Sequence, residues 1–318
     1  MQSFMHPYNK EEDYWRIREF LRQVMLLNNR RDLSWHVTRW DYLFWSIQPE
    51  FERINFQESV FIWETESRQI AGVLHPEDRG CIFLDIHPDF HISELQEEMI
   101  ALAEKHLTSS TLDRDRKPRL WIWIDSQDTI LQEIVTRRGF HRIEREGLKE
   151  YKHRRSLDGL LPDVPATPGY TIRALGDGLE LLERCYAMGL GFRKDDVNAA
   201  REKRDHPEWY RSLQSAPLYR RDLDLITVAS DGSIAAFCTI WFDDVTRTAC
   251  FEPIATVPAH QRRGLARAIM IEGMHRLKRM GCKVAFVSGF NEAANALYFS
   301  VMGTEHDISE PWEKVIES

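Results

Sequence analysis

The run Gln261-Arg262-Arg263-Gly264-Leu265-Ala266 follows an apolar stretch ending in Thr256-Val257-Pro258 and precedes a segment of helical periodicity, so it sits at a strand-to-helix junction. A helix start leaves about four backbone N–H groups without partners and carries the positive end of the helix dipole, which makes it an anion site. Gly264 lets a phosphate approach the backbone, Ala266 keeps the first turn free of bulk, and Arg262 and Arg263 add local positive charge. The same residues also fit a tight turn carrying surface arginines. Upstream, Glu252 interrupts the apolar run CFEPIATV, four residues before Thr256, and strand alternation puts the two on one side. It reads as a base acting directly or through water, as a contact to a substrate amine, or as an edge-strand carboxylate beside Pro253.

The elements needed to position these residues can be read from periodicity. DLITVAS and SIAAFCTIWF are strands around the turn Asp231-Gly232, and ACFEPIATVPAH is a strand running into Pro258. A helix follows with Leu265, Ile269, Gly273, Leu277 and Met280 on one face and a stop at Gly281. Then come the strand KVAFVSG, the helix EAANALYFSVMG and a final strand EPWEKVI. The first half repeats that order: SVFIWET, QIAGVL and CIFLDIHPDF as strands, ISELQEEMIALAEKHL as a helix, RLWIWID as a strand, TILQEIVTRRGF as a helix, and HRIEREGLKEYK as a last strand. Helical material precedes each set, at 10–30 and 177–214. Residues 153–169 hold three prolines and two glycines and read as a linker. The expected organisation is therefore α/β of the α+β kind: two tandem domains, 1–152 and 170–318, each with a mixed, mostly antiparallel sheet flanked by helices.

At 318 residues with 43% hydrophobic and 29% charged residues, the chain can bury two cores. Its formal net charge of −8 gives no global field for nucleic acid or anionic lipid. No apolar run approaches a membrane span and the N-terminus lacks a leader pattern, so a cytoplasmic protein without nucleic-acid or membrane partners is expected. The five cysteines are scattered and read as buried thiols, and the histidines show no metal-ligand spacing, so no metal is expected. Phe192, Trp209, Tyr210, Tyr219, Trp241 and Phe242 are either pocket walls or core. Asp243 and Asp244 either attract a cation or form a turn. The tryptophan-rich WHVTRWDYLFW, with Trp35, Trp40 and Trp45, reads as a packed helix that could contribute to a domain interface.

Gln261-x-x-Gly264-x-Ala266 after Thr256-Val257-Pro258 resembles the core motif of the GNAT family of N-acetyltransferases, Q/R-x-x-G-x-G/A after a strand ending hydrophobic-x-Pro. Asn291, Ala294, Leu297, Tyr298 and Gly303 resemble a second motif of that family on the helix after the next strand, with Thr304 where Phe is usual. The resemblance runs from Tyr170 to the end of the chain and implies acetyl-CoA as co-substrate. Its pyrophosphate would rest on the amides of residues 261–267 (Gln261, Arg262, Arg263, Gly264, Leu265, Ala266, Arg267), and its pantetheine along the strand holding Ala255, Thr256 and Val257, where sheets of this family splay. An amine of a small molecule or peptide would attack the acetyl carbonyl directly in a ternary complex. That chemistry needs a base for the ammonium proton, stabilisation of the tetrahedral oxyanion, and an acid for the leaving thiolate. Tyr298 holds the helix position of the family's acid, and a phenol with a pKa near ~10 suits a thiolate; Glu252 is the candidate base. Asn291 either contacts the CoA arm or caps its helix. In the first half, Ser93, Glu94 and Gln96 stand near where the glycine and alanine would be, and Ile134 stands for Tyr298, so that half resembles a degenerate copy of the same fold.

Two other classes fit less of the sequence. A non-catalytic acyl-CoA-binding or interaction protein would keep the loop without transferring acyl groups. A P-loop nucleotide site lacks the Lys-Ser/Thr after Gly264. Composition and motif leave the acceptor, the acyl length and the oligomeric state open.

Overall fold

The computed structural model describes residues 3–47, 54–108, 117–144, 148–193 and 196–316. Contacts divide them into two units, one of residues 3–43, 54–152 and 306–316, the other of residues 44–47 and 153–305. Both are mixed, mostly antiparallel sheets flanked by helices, as the repeated element order predicts.

The first unit opens with β1 (Ser3–Pro7), α1 (Glu11–Leu27), α2 (Val37–Tyr42) and α3 (Phe56–Ser59). α1 buries Tyr14, Ile17, Leu21, Val24 and Met25, a spacing of three and four that lays one stripe on the sheet. The strands are β2 (Phe61–Thr65), β3 (Ile70–Asp78), β4 (Cys81–Ile86) and β5 (Arg119–Asp125), with α4 (Ser93–His106) between the last two and α5 (Thr129–Arg137) after them. Trp63, Leu74, Ile82, Met99, Ile122 and Ile134 form its core. The tryptophan-rich segment is helical from Val37 onward, through α2 and a π-helical turn over Leu43–Ile47. Trp35 precedes α2, and it and Trp40 are buried around the His75 ring, at 4.3 and 5.6 Å. The strand expected over 141–152 is two strands, β6 (His141–Arg142) and β7 (Glu150–Ser156); residues 145–147 lie outside the described set.

The second unit contains β8 (Tyr170–Ala174), α6 (Leu179–Phe192), α7 (Val197–Asp205), α8 (Glu208–Gln214), β9 (Asp224–Ala229), β10 (Ile234–Asp243), β11 (Thr248–Thr256), α9 (Leu265–Arg279), β12 (Val284–Gly289) and α10 (Glu292–Met302). Its strands lie in the order β8-β9-β10-β11-β12-β7. Met270, Ile271, Met274 and Leu277 of α9 pack with Cys238, Ile240, Phe251 and Val287. Arg276, Lys278 and Arg279 in the last turn of α9 complement the negative end of its dipole.

The closing strands depart from the expected layout. The EPWEKVI strand, β13 (His306–Val315), pairs antiparallel with β5 of the first unit, Ser309 against Asp125 through Val315 against Arg119. The end of β7, residues 153–156, belongs to the second unit, where Leu157 N–H donates to the Lys283 carbonyl at 2.8 Å. Each half of the chain thus supplies the strand that completes the sheet of the other unit. Alternation of apolar residues identifies a strand but not its partner, because the same pleated face fits either sheet.

Among the described residues no helix is long and apolar enough to cross a membrane, and no group of three or more His, Cys, Asp or Glu is placed to hold a metal ion. Cys185, Cys238 and Cys282 are buried, whereas Cys81 and Cys250 are partly exposed, contrary to the reading of all five as core thiols.

Candidate functional site

In the second unit β10 and β11 pair from Asp243 with Thr248 to Ala236 with Thr256, but not at constant register. Ile240 faces Phe251 and Cys238 faces Ile254, so Glu252 and Pro253 together oppose Thr239. This β-bulge adds one residue to β11 and resets its alternation. Phe251, Ile254 and Thr256 share a face, and Glu252 falls off it. The expectation that Glu252 and Thr256 lie on one side is therefore corrected, because alternation was counted through a bulge. The Glu252 carbonyl accepts a hydrogen bond from the Trp241 indole at 2.6 Å, and its side chain is exposed.

β11 and β12 run parallel and pair only from Thr248 with Val284 to Cys250 with Phe286. Beyond that they part. Val257 N–H donates to the Ala235 carbonyl, so alternate residues on this stretch turn toward β10 and the backbone groups of Ile254 and Thr256 turn toward the opening. The Thr256 carbonyl accepts from the Gln261 side chain at 3.2 Å.

The segment after Pro258 enters α9 through two residues of positive φ, Arg262 at 62° and Gly264 at 76°. The left-handed region costs a residue with a Cβ about 1–2 kcal/mol, and a Cβ on Gly264 would project into open space with nothing within 4 Å. The first helical bond is Ala268 N–H to the Gly264 carbonyl at 3.0 Å, and α9 has no side-chain cap. Among the described residues, the amides of 262–267 consequently donate to nothing, a longer run of free N–H groups than a helix start alone leaves.

These pieces bound one cleft of about 840 Å³, lined by Gly191 and Phe192 of α6, Ile254, Ala255 and Thr256 of β11, Gln261, Arg262, Gly264, Leu265, Ala266 and Arg267, and Asn291 to Ala294, Ala296, Leu297 and Tyr298 of α10. Val257, Arg263 and Glu252 are outside this lining. Val257 is buried, and Arg263 turns its guanidinium toward the Tyr170 ring, 6.0 Å from the centroid. Arg267 is held on α10 by bonds to the Ser300 carbonyl and hydroxyl at 2.8 and 3.2 Å. Asn291 caps α10, its side-chain oxygen accepting from Ala294 N–H at 2.9 Å.

Tyr298 is 7% exposed, yet among the described residues its hydroxyl makes no hydrogen bond. Burial pushes its phenol well above the usual value, and the neighbouring Cys238, Glu252 and Cys250 push it in the same direction, so the group keeps its proton at any physiological pH. Two features position it. A Cβ on Gly289 would stand 2.2 Å from Asn295 Oδ1 and 3.0 Å from Tyr298 Cδ2, so a larger residue at the end of β12 would displace these side chains of α10. The buried His153 ring meets the Tyr298 ring edge-on at 5.7 Å and bonds Asn295 Oδ1 through Nε2 at 3.0 Å. Motif spacing locates Tyr298 but not His153, which lies in the segment read as linker; the alanines of NEAANALY are a readable sign of a helix face kept small, and Ala293, Ala294 and Ala296 line the cleft.

The aromatic residues divide. Phe192 lines the cleft, and Trp209, Tyr210, Trp241 and Phe242 are buried. On the α6 side of β10, buried Asp224 accepts from Tyr210 at 2.6 Å, Tyr219 at 2.8 Å and Thr239 at 3.1 Å, and Arg184 donates to Thr239 at 3.2 Å. Asp243 accepts from the Thr246 amide and hydroxyl, which makes it a turn residue.

The acetyltransferase (GNAT) family model matches residues 187–303. No curated protein matches the chain. A tandem GNAT protein from the clavulanic acid biosynthesis pathway superposes with a TM-score of 0.64 at 13% identity, covering 100% of this chain and 99% of that one. A GCN5-related N-acetyltransferase from Sphaerobacter thermophilus gives 0.62 at 14% identity, with 99% and 96% covered. A GNAT-family acetyltransferase from Colwellia psychrerythraea gives 0.58 at 9% identity, with 98% and 100% covered. At such identities the structures speak to the fold, which extends over the whole chain, and the family match speaks to the unit that holds the cleft; together they support an acyl-CoA-dependent acetyltransferase in general. Residues 187–303 thus carry the signature of the acetyltransferase (GNAT) family, and the fold of the whole chain is that of a tandem GNAT protein.

Proposed function

We propose that the second unit transfers the acetyl group of acetyl-CoA to the amine of a small molecule or peptide by direct attack in a ternary complex, and that the first unit is a degenerate copy. The observation that carries this reading is that Arg262 and Gly264 to Arg267, whose amides are free, line the same cleft as Tyr298 with its unbonded hydroxyl. A diphosphate on those amides, with Arg262 and Arg267 beside it, accounts for N–H groups that otherwise face only solvent. The edges of Ile254 and Thr256 suit the amides of an extended pantetheine arm, and the small side chains of Ala293, Ala294 and Ala296 leave it room.

In the reaction, the amine nitrogen bonds to the thioester carbonyl carbon and the carbon–sulfur bond breaks. The ammonium proton goes through water to Glu252, which stands exposed outside the lining yet near enough for its charge to act on Tyr298, and the Tyr298 hydroxyl gives its proton to the departing sulfur. A raised phenol pKa suits this role because the same burial also raises the basicity of the thiolate it meets. Tyr298→Phe is expected to lower kcat by about 10²-fold on the best acceptor of an amine panel while leaving the Kd for CoA within about twofold. An unchanged kcat would remove Tyr298 from the chemistry. Tight CoA binding with no transfer to any amine would favour the non-catalytic acyl-CoA-binding alternative.

A further inference from the structure

Asn295, Tyr298 and Phe299 stand three and four residues apart on α10 and so share one face of it. That face meets the buried His153 of β7. His153 Nε2 bonds Asn295 Oδ1 at 3.0 Å, and because an amide oxygen only accepts, this nitrogen carries the ring proton. The same ring stands edge-on to Tyr298 at 5.7 Å and to Phe299 at 4.5 Å. Two residues further along β7, and by strand alternation on the same side, Arg155 donates from Nη1 to the Val301 carbonyl in the last turn of α10. One face of β7 therefore grips α10 at two heights.

What such a grip controls is a direction. The Tyr298 hydroxyl makes no hydrogen bond among the described residues, so its aim is set by ring packing and by the rotation of α10 about its own axis. A rotation of roughly 10° carries a phenol oxygen, about 8 Å from the helix axis, through about 1.4 Å. A misplacement of that size can cost a reacting group about 10²-fold in rate. His153 does not line the cleft, so it reaches the chemistry through Tyr298 and not through bound ligand. Both His153 and Arg155 also precede residues 187–303, which carry the family signature.

We propose that His153 is a positioning residue for acetyl transfer: with Arg155 it fixes the rotation of α10 and so aims the Tyr298 hydroxyl, which makes the reaction depend on a strand ahead of the family signature. The proposal rests on the reading of Tyr298 as the proton donor.

The test is a double-mutant cycle on the full chain, read as kcat on the best acceptor of an amine panel and as the Kd for CoA. His153→Leu is expected to lower kcat about tenfold and leave the Kd within about twofold. His153→Gln, whose side-chain amide still donates to Asn295 Oδ1, is expected to recover most of that loss. On a Tyr298→Phe background the same His153→Leu change should cost less than about twofold, because the donor it aims is already absent. If His153→Leu does not fold, Asn295→Ala at a half-buried position removes the same bond and carries the same expectation. A tenfold loss that persists on the Tyr298→Phe background would overturn the proposal. So would an unchanged kcat in His153→Leu when Tyr298→Phe lowers it, and that result would leave the reading of Tyr298 standing. An unchanged kcat in Tyr298→Phe itself would remove that reading and this proposal with it.

Discussion

The starts of α4 and α9 follow the same kind of strand, each through a proline, and differ in what they do with their amides. Before α9, Arg262 and Gly264 adopt positive φ and the N–H groups of 262–267 are free; before α4, the chain stays in ordinary φ and only the amides of 93–95 lack acceptors among the described residues. Two left-handed residues turn the same junction from a closed turn into a concave row of donors. Both units keep the parted parallel strands, so the opening between them is a property of the fold, while the row of free donors is a property of a few residues.

The strongest way to break that comparison is to exchange the residues. Gly264→Glu puts a strained φ and a carboxylate in the row of donors and should weaken acetyl-CoA binding by at least about 100-fold in calorimetry, with the fold unchanged by circular dichroism. Glu94→Gly should not create a second CoA site, because removing one acid frees no further amides; a stoichiometry rising toward two would mean that charge, not backbone shape, separates the two helix starts. Next in size, Gly289→Val forces a Cβ against Asn295 and should cost about 1–3 kcal/mol of stability in denaturant unfolding while lowering kcat through the displaced Tyr298. An unaffected kcat would detach the placement of Tyr298 from that close approach. Arg267→Ala removes a cation tethered to Ser300 at the rim and should weaken acetyl-CoA binding by about three- to tenfold, more at low salt than at high.

The sequence made the motif-bearing loop, Tyr298 and the repeated order of elements legible because each follows from local rules: periodicity, a glycine after a strand, a tyrosine at fixed spacing. It did not reveal the bulge at Glu252 and Pro253, which depends on what β10 presents across the ladder, and so Glu252 was assigned to the wrong face. Nor did it reveal that β13 pairs with β5, since EPWEKVI carries no mark of which sheet it joins. Val257 and Arg263 belong to the motif by position but not to the cleft: one is directed by its bond to Ala235, the other by the Tyr170 ring. His153 escaped because a buried histidine at the edge of a proline-rich segment is recognisable only once α10 is in place.

The smallest expected effect separates the two caps that follow the parted strands. Asp128 and Asn291 do the same work, each accepting an amide three residues on, Leu131 at 3.0 Å and Ala294 at 2.9 Å. Only Asp128 also faces an imidazole, and its hydrogen bond to His91 raises that residue's pKa above the ordinary histidine value. A raised folded-state pKa stabilises the first unit fully below the unfolded value near ~6.5, and the contribution disappears as pH rises through the folded value. Asp128→Asn keeps the cap, since the amide oxygen still accepts from Leu131, but removes the charge. The His91 imidazole followed by NMR should then titrate at lower pH than in the wild type, with α5 intact and acetyl-CoA binding unchanged. If its titration did not move, the carboxylate would be acting only as a cap, as Asn291 does in the second unit.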